Sequence, residues 1–211
     1  MPYRLRALGF EGTESEDAFR LLLERLAGVG QHEGPRRIVC RPFDAATVGI
    51  SLDAHGEPEA VSASLGGPLH PVMVTEVEER PTGRRVTGFC CLDGHPVLPI
   101  RMTVTDGDFE DGTPEGMFDL SGFAERLEPS EIPPEEATAE VGSGEDLAIA
   151  AVLLSQRRVT NRLSGNSVNF VRLWMPGLVL PAALREPVEA KPGDVVAGRL
   201  RVAGCLGRAG S

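Results

Sequence analysis

The chain predicts an α+β fold, mainly antiparallel β, with an N-terminal helix plus β-meander and a smaller C-terminal β module. Three observations carry this. Turn-forming clusters recur about every eight to twelve residues, the spacing of antiparallel strands. Only one segment, residues 15–27, has clear helical periodicity. Twenty-five Gly and seventeen Pro interrupt the chain too often for long helices.

Residues 3–8 alternate and are expected as a first strand. In 15–27, Ser15 is a candidate N-cap, Glu16 and Asp17 suit the positive end of the helix dipole, and Phe19, Leu22, Leu23 and Leu26 form one apolar stripe. Gly28 and Gly30 end it. After Pro35 the period becomes two. Strands are expected at 37–41, 47–52, 60–65, 72–78, 85–92 and 97–105, with turns at 53–58, 66–68, 81–83 and 93–96. No internal repeat is evident in the residues.

Residues 106–146 interrupt the alternation. This segment holds fourteen acidic residues, one basic residue (Arg126) and four Pro, and reads as an acidic linker. Met117, Phe118, Leu120, Phe123 and Leu127 have the spacing of one short embedded helix, capped by Asp119 or Ser121. The expected division is therefore 1–105, an α+β meander domain; 106–146, the linker; and 147–211, a β module.

In that module, strands are expected at 147–156, 167–175, 178–180 and 195–206, with a polar hairpin turn at 160–166 and a Pro176-Gly177 turn. Lys191-Pro192-Gly193-Asp194 suits a type II turn, in which Pro192 sets φ and Gly193 takes a positive φ. Gly198 and Gly204 are expected bulge or bend points. This order of strands, with the 191–198 stretch in particular, resembles a small OB-like barrel. The resemblance implies a nucleic-acid ligand, bound by a basic groove with aromatic stacking platforms.

Charge supports that direction. Residues 147–211 carry nine basic residues against Glu186, Glu189 and Asp194, while the whole chain has a net charge of −10. A chain so divided is expected to bring its basic module to an anionic surface, its own or a partner's. The candidate contacts are Arg157, Arg158, Arg162, Phe170, Arg172, Trp174, Arg199 and Arg201. Phe170, Arg172 and Trp174 share one strand face, as do Arg199 and Arg201. Apolar residues at period two are usually core, so Phe170 and Trp174 also read as core; Arg172 between them does not fit that reading. Asn161, Asn166 and Gly165 read first as hairpin-tip residues, and alternatively as ligand-binding amides beside Arg162 and Asn169.

Catalytic signatures are absent from the sequence: no phosphate-binding loop, no G-x-S-x-G, no H-E-x-x-H. His55, His70 and His95 sit beside Gly or Pro, His32 lies two residues from Gly30 and Gly34, and all four are expected in exposed turns. Asp106, Asp108, Glu110 and Asp111 have the composition of a calcium loop, but Met117 stands where its closing Glu is required. Cys40, Cys90, Cys91 and Cys205 match no disulfide or zinc spacing and read as free, buried thiols. No metal and no cofactor is expected. Residues 147–154, the longest apolar run, are too short to span a bilayer, and Met1–Phe10 lacks a signal-peptide core.

The expectation is thus a bacterial-type, cytoplasmic, non-enzymatic binding protein. Its basic β module would engage an anionic partner, single-stranded nucleic acid being the candidate, with the acidic linker competing for the same face. The alternative is an interaction or inhibitor module that meets a basic protein through the acidic segment. The third is an unrecognised hydrolase using the carboxylates or Cys90 and Cys91.

Overall fold

Strand pairing organises the molecule more than helix packing does. The computed structural model describes residues 2–80, 83–104, 115–142 and 146–206. In chain order the helices are α1 (Pro2–Ala7) and α2 (Glu16–Val29). The strands of the first sheet are β1 (Gln31–His32), β2 (Arg37–Phe43), β3 (Ala46–Leu52) and β4 (Pro58–Ser64), an antiparallel meander. The second sheet contains β5 (Leu69–Arg80), β6 (Gly83–Leu92), β7 (His95–Val104), β8 (Glu115–Ala124), β9 (Leu127–Ser130), β10 (Thr138–Val141), β11 (Asp146–Thr160), β12 (Ser167–Met175), β13 (Leu178–Leu184) and β14 (Val195–Leu206). A short 3-10 helix, Pro134–Glu136, precedes β10.

The expected helix forms as α2 but runs on through Gly28 to Val29, so that Gly30 alone caps its end. Ser15 accepts from the Ala18 N–H, and Leu22, Leu23 and Leu26 are buried. The C-terminal turn at Lys191–Asp194 also forms, closed by the Asp194 N–H to the Lys191 oxygen at 3.0 Å, with Gly193 at φ +100°.

Four local expectations are corrected. Residues 3–8 lie in a helix and its end, not a strand; Leu5 and Leu8, one turn apart, are both fully buried. The helix expected around Met117 to Leu127 is a strand, β8, followed by β9. Gly198 and Gly204 mark no register shift. Each lets a neighbour approach instead: a Cβ on Gly198 would lie 2.7 Å from Leu127 Cδ2, and one on Gly204 would overlap Met102 Sδ. His70 is not in a turn but within β5, buried, with its Nε2 3.1 Å from the Val179 oxygen. The calcium-like run at 106–112 lies outside the described residues.

Pairing in the second sheet is built twice. β5, β6 and β7 are successive antiparallel partners; β7 then pairs in parallel with β14, and β8 pairs antiparallel with β5. Likewise β11, β12 and β13 are successive antiparallel partners; β13 pairs in parallel with β8, and β14 pairs antiparallel with β11. The two sets are joined by β8 against β14, whose register sets Leu120 opposite Gly204 and Gly122 opposite Val202. Each four-strand unit thus borrows the last strand of the other, and each circuit of five pairings returns to its start. Strands from 1–105, 106–146 and 147–211 all contribute.

This is an internal repeat that the residues barely advertise. Its traces are Val97-Leu98-Pro99 in β7 and Val179-Leu180-Pro181 in β13, separated by the same number of residues as Gly122 and Gly204. Two cores result. One fills the paired circuits, with Phe118, Leu120, Ile100, Met102, Leu147, Leu173 and Leu180 among its members. The other lies between the first sheet with α1 and α2 and the outer face of the second circuit, where Phe43, Ile50, Leu5 and Leu26 meet Phe123, Phe170 and Ala183.

Candidate functional site

The β11–β12 pair continues beyond the circuit as an arm. β14 leaves β11 at Val152, and from Ser155 to Thr160 β11 pairs only with β12. Register assigns the faces of this arm. Arg157 opposite Phe170, and Ser155 opposite Arg172, lie on one face; Arg158 opposite Asn169, and Thr160 opposite Ser167, lie on the other.

The second of these faces forms one wall of a cleft of about 400 Å³, lined by Gln156, Arg158, Ser167 and Asn169, with Arg185 and Pro187 from the segment after β13. Hydrogen bonds hold that segment in place. Asn169 Nδ2 donates to the Arg185 oxygen at 3.1 Å, and Gln156 Nε2 to the Ala190 oxygen at 2.8 Å. A second cleft of about 470 Å³ adjoins it, sharing Arg158, Ser167 and Arg185 and adding Arg6, Glu11, Glu14 and Asn166. Arginines from α1, β11 and the end of β13 therefore border one continuous trough.

Glu125 reaches this trough from the acidic segment. Its Oε1 lies 2.8 Å from Arg185 Nη1, both side chains being about half exposed. The pairing is fixed by main-chain bonds from the Arg185 N–H to the Ala124 oxygen and from the Glu186 N–H to the Glu125 oxygen. Arg158 is exposed and has no acidic partner among the described residues.

The corresponding arm of the first unit differs. There Arg84 Nε meets Glu79 at 2.6 Å, Arg80 meets Glu78 at 2.6 Å, and Arg85 also bonds to Glu78. That arm neutralises its own charge, whereas the β11–β12 arm, 155–160 with 167–172, carries three arginines, Arg157, Arg158 and Arg172, and no carboxylate.

The eight residues singled out by sequence are dispersed. Arg158 borders both clefts. Arg157 borders one, but its guanidinium lies 4.9 Å over the Phe170 ring, on the opposite face of the arm. Phe170 is core, 6% exposed and edge-on to Phe43 at 6.2 Å, so its ring is closed to a ligand. Arg162 is bound to Asp44 at 2.6 Å at the hairpin tip. Arg172 is exposed beside Trp174, which is 37% exposed, on the outward face of β12. Arg199 is exposed on β14, while Arg201 pairs with Asp146 at 3.0 Å and lies 4.6 Å over the Tyr3 ring. Sequence reasoning missed Arg6 and Arg185. Arg6 required α1 to be a helix that packs against the distant β11–β12 hairpin, and Arg185 required the strand before it to run on to Leu184.

The hairpin amides are structural. Asn161 is fully buried: Nδ2 donates to the Leu8 oxygen at 2.7 Å, and Oδ1 accepts from the N–H groups of Leu163 and Ser164. Asn166 Nδ2 donates to the Gly9 oxygen at 2.9 Å.

The thiols and histidines form no second centre. Burial pushes the Cys90 thiol up to about 12, and burial also raises Cys40, whose Sγ donates to the Leu26 oxygen. A thiol so held carries almost no thiolate near neutrality. Among the described residues, no three His, Cys, Asp or Glu side chains come together as a metal-holding group. No described helix is long and apolar enough to cross a membrane. No protein-family model, curated protein or solved structure matches the chain.

Proposed function

We propose that this chain is a binding protein rather than an enzyme, and that it engages an anionic partner at the trough bordered by Arg158, Arg185 and Arg6. The observation that carries the reading is the contrast between the two arms. Equivalent strand pairs leave one arm internally neutralised and the other with Arg157, Arg158 and Arg172 and no carboxylate within the arm. Like-charged side chains left unpaired on a rigid ribbon repel each other, and an incoming anion relieves that cost. Each five-strand circuit is read as an OB-like barrel, an architecture that places ligands on its outer strands.

The acidic segment modulates the site through one residue. Glu125 occupies Arg185, so an incoming phosphate or carboxylate competes with it. Because β8 is a core strand, the segment acts from a fixed position and not as a swinging tether.

Fluorescence anisotropy with labelled oligo-dT and with polyglutamate, over a salt series, tests the reading. Arg158→Glu is expected to weaken binding of whichever anion binds, and to flatten the salt dependence by about one ion. Glu125→Gln is expected to tighten it. Absence of binding at low salt, or binding that ignores Arg158, rejects the proposal. The alternative of a basic protein partner draws on a different surface, where Glu131, Glu135, Glu136 and Glu140 stand exposed around the 3-10 helix. Capture of a basic protein that survives Arg158→Glu and is lost on neutralising those four would favour it.

A further inference from the structure

The trough is not uniformly basic, and its polarity selects among anions. In the cleft beside α1, Glu11 and Glu14 are exposed and border the trough alongside Arg6; Arg158 and Arg185 lie where the two clefts join, and the lining of the other cleft holds no carboxylate, Glu125 being engaged with Arg185. A chain carrying phosphates at every step, laid along both clefts, would bring negative charge against Glu11 and Glu14.

Hydrogen-bonding capacity points the same way. Gln156, Asn166 and Asn169 each commit the amide nitrogen to a main-chain oxygen of the protein, respectively that of Ala190, Gly9 and Arg185, and Asn166 Nδ2 also donates to one carboxylate oxygen of Glu11 at 3.3 Å. Their amide oxygens accept no hydrogen bond among the described residues, so the trough offers acceptors as well as guanidinium donors. A phosphodiester backbone has no donor to give them. A peptide main chain has an N–H at each non-proline residue.

We propose, building on the anion-binding reading above, that the trough holds an extended peptide of mixed charge. Its basic side chains lie against Glu11 and Glu14, its carboxylates against Arg158 and Arg185, and its main-chain N–H groups donate to the amide oxygens of Gln156, Asn166 and Asn169.

The test uses the full chain and four labelled ligands: a peptide with arginines at its amino end and glutamates at its carboxyl end, the reversed sequence, an all-glutamate peptide of equal length, and oligo-dT. At about 0.15 M salt, one of the two mixed peptides is expected to bind roughly tenfold more tightly than the all-glutamate peptide, a difference of about 1.4 kcal/mol. The double substitution Glu11→Gln with Glu14→Gln should erase that preference while tightening the all-glutamate peptide and oligo-dT. Both glutamates are exposed, so an unchanged thermal transition certifies the fold. If neither mixed peptide exceeds the all-glutamate peptide, or oligo-dT outcompetes both and ignores the double substitution, the peptide proposal is overturned while anion binding stands. If Arg158→Gln alters the binding of none of the four, both proposals fall.

Discussion

The side-chain nitrogen of Asn161 donates to the main-chain oxygen of Leu8 at 2.7 Å, tying the tip of the β11–β12 arm to the end of α1. The same side chain shapes the tip itself, since its oxygen accepts from Leu163 N–H at 2.8 Å and Ser164 N–H at 3.2 Å. One amide thereby sets both the hairpin and the segment that delivers Arg6, Glu11 and Glu14 to the trough.

Asn161→Ala should therefore be costly. It strands three main-chain groups at a fully buried position, and at about 1–3 kcal/mol for each unsatisfied buried group, partly relieved by water, the loss is expected to be about 2–4 kcal/mol. Urea unfolding measures it. A loss below about 0.5 kcal/mol, the scale of surface substitutions, would show that the tip is held by something else.

Two glycines should respond in opposite directions to alanine. A Cβ on Gly88 would intrude on the main-chain oxygen of Met73, next to the register shift in β5, so Gly88→Ala is expected to destabilise by about 1–3 kcal/mol. Gly28 lies in α2 at a negative φ, and a Cβ added there would meet nothing within 4 Å, so Gly28→Ala is expected to stabilise by about 0.5–1 kcal/mol. Shifts of equal sign in calorimetry would contradict the packing described for these sites.

His70 should make stability depend on mildly acidic pH. Burial lowers its pKa below the usual 6.5, against opposing contributions from the Val179 oxygen and from Asp119. The folded state thus binds its proton less readily than the unfolded chain. Its contribution is present in full above about pH 6.5 and is lost as pH falls through the lowered folded value. His70→Gln should flatten the fall in urea midpoint between about pH 7 and pH 5; a slope identical to that of the parent chain would remove His70 as its source.

The thiols should separate by reactivity. Cys90 is fully buried with its pKa pushed up to about 12, whereas Cys205 is half-buried. Under native conditions iodoacetamide is expected to modify Cys205 first and to leave Cys90 untouched, with all four thiols labelled after unfolding. Native labelling of Cys90 at the rate of Cys205, read by mass spectrometry, would refute its burial.

Legibility in the sequence followed the number of buried faces. α2 has one apolar stripe and an N-cap, so Ser15, Leu22 and Leu26 revealed it; β12, read as Ser167–Met175, has one face largely covered and alternated visibly. β8 could not be read that way. Phe118, Leu120 and Ala124 enter one core and Phe123 the other, so Leu120–Ala124 is apolar or small throughout and mimics a helical stripe. The acids around it reinforced the linker reading, although Asp119 is itself structural, accepting from Ser64 Oγ at 2.7 Å and from the Gly67 N–H at 3.3 Å. The trough was hidden for a further reason: Arg6 and Arg158 meet only through tertiary docking, which no local pattern records.

Because β14 completes the pairing circuit of β5, β6, β7 and β8, the earlier half of the polypeptide has no way to finish its own sheet during synthesis. The edge of β7 that β14 takes must wait until residues 195–206 leave the ribosome. Such long-range closure is slow and leaves unpaired strand edges exposed meanwhile. Truncation ahead of Val195 should accordingly yield aggregates rather than a smaller folded protein, and newly made chains should lean on holdase chaperones until the last strand arrives.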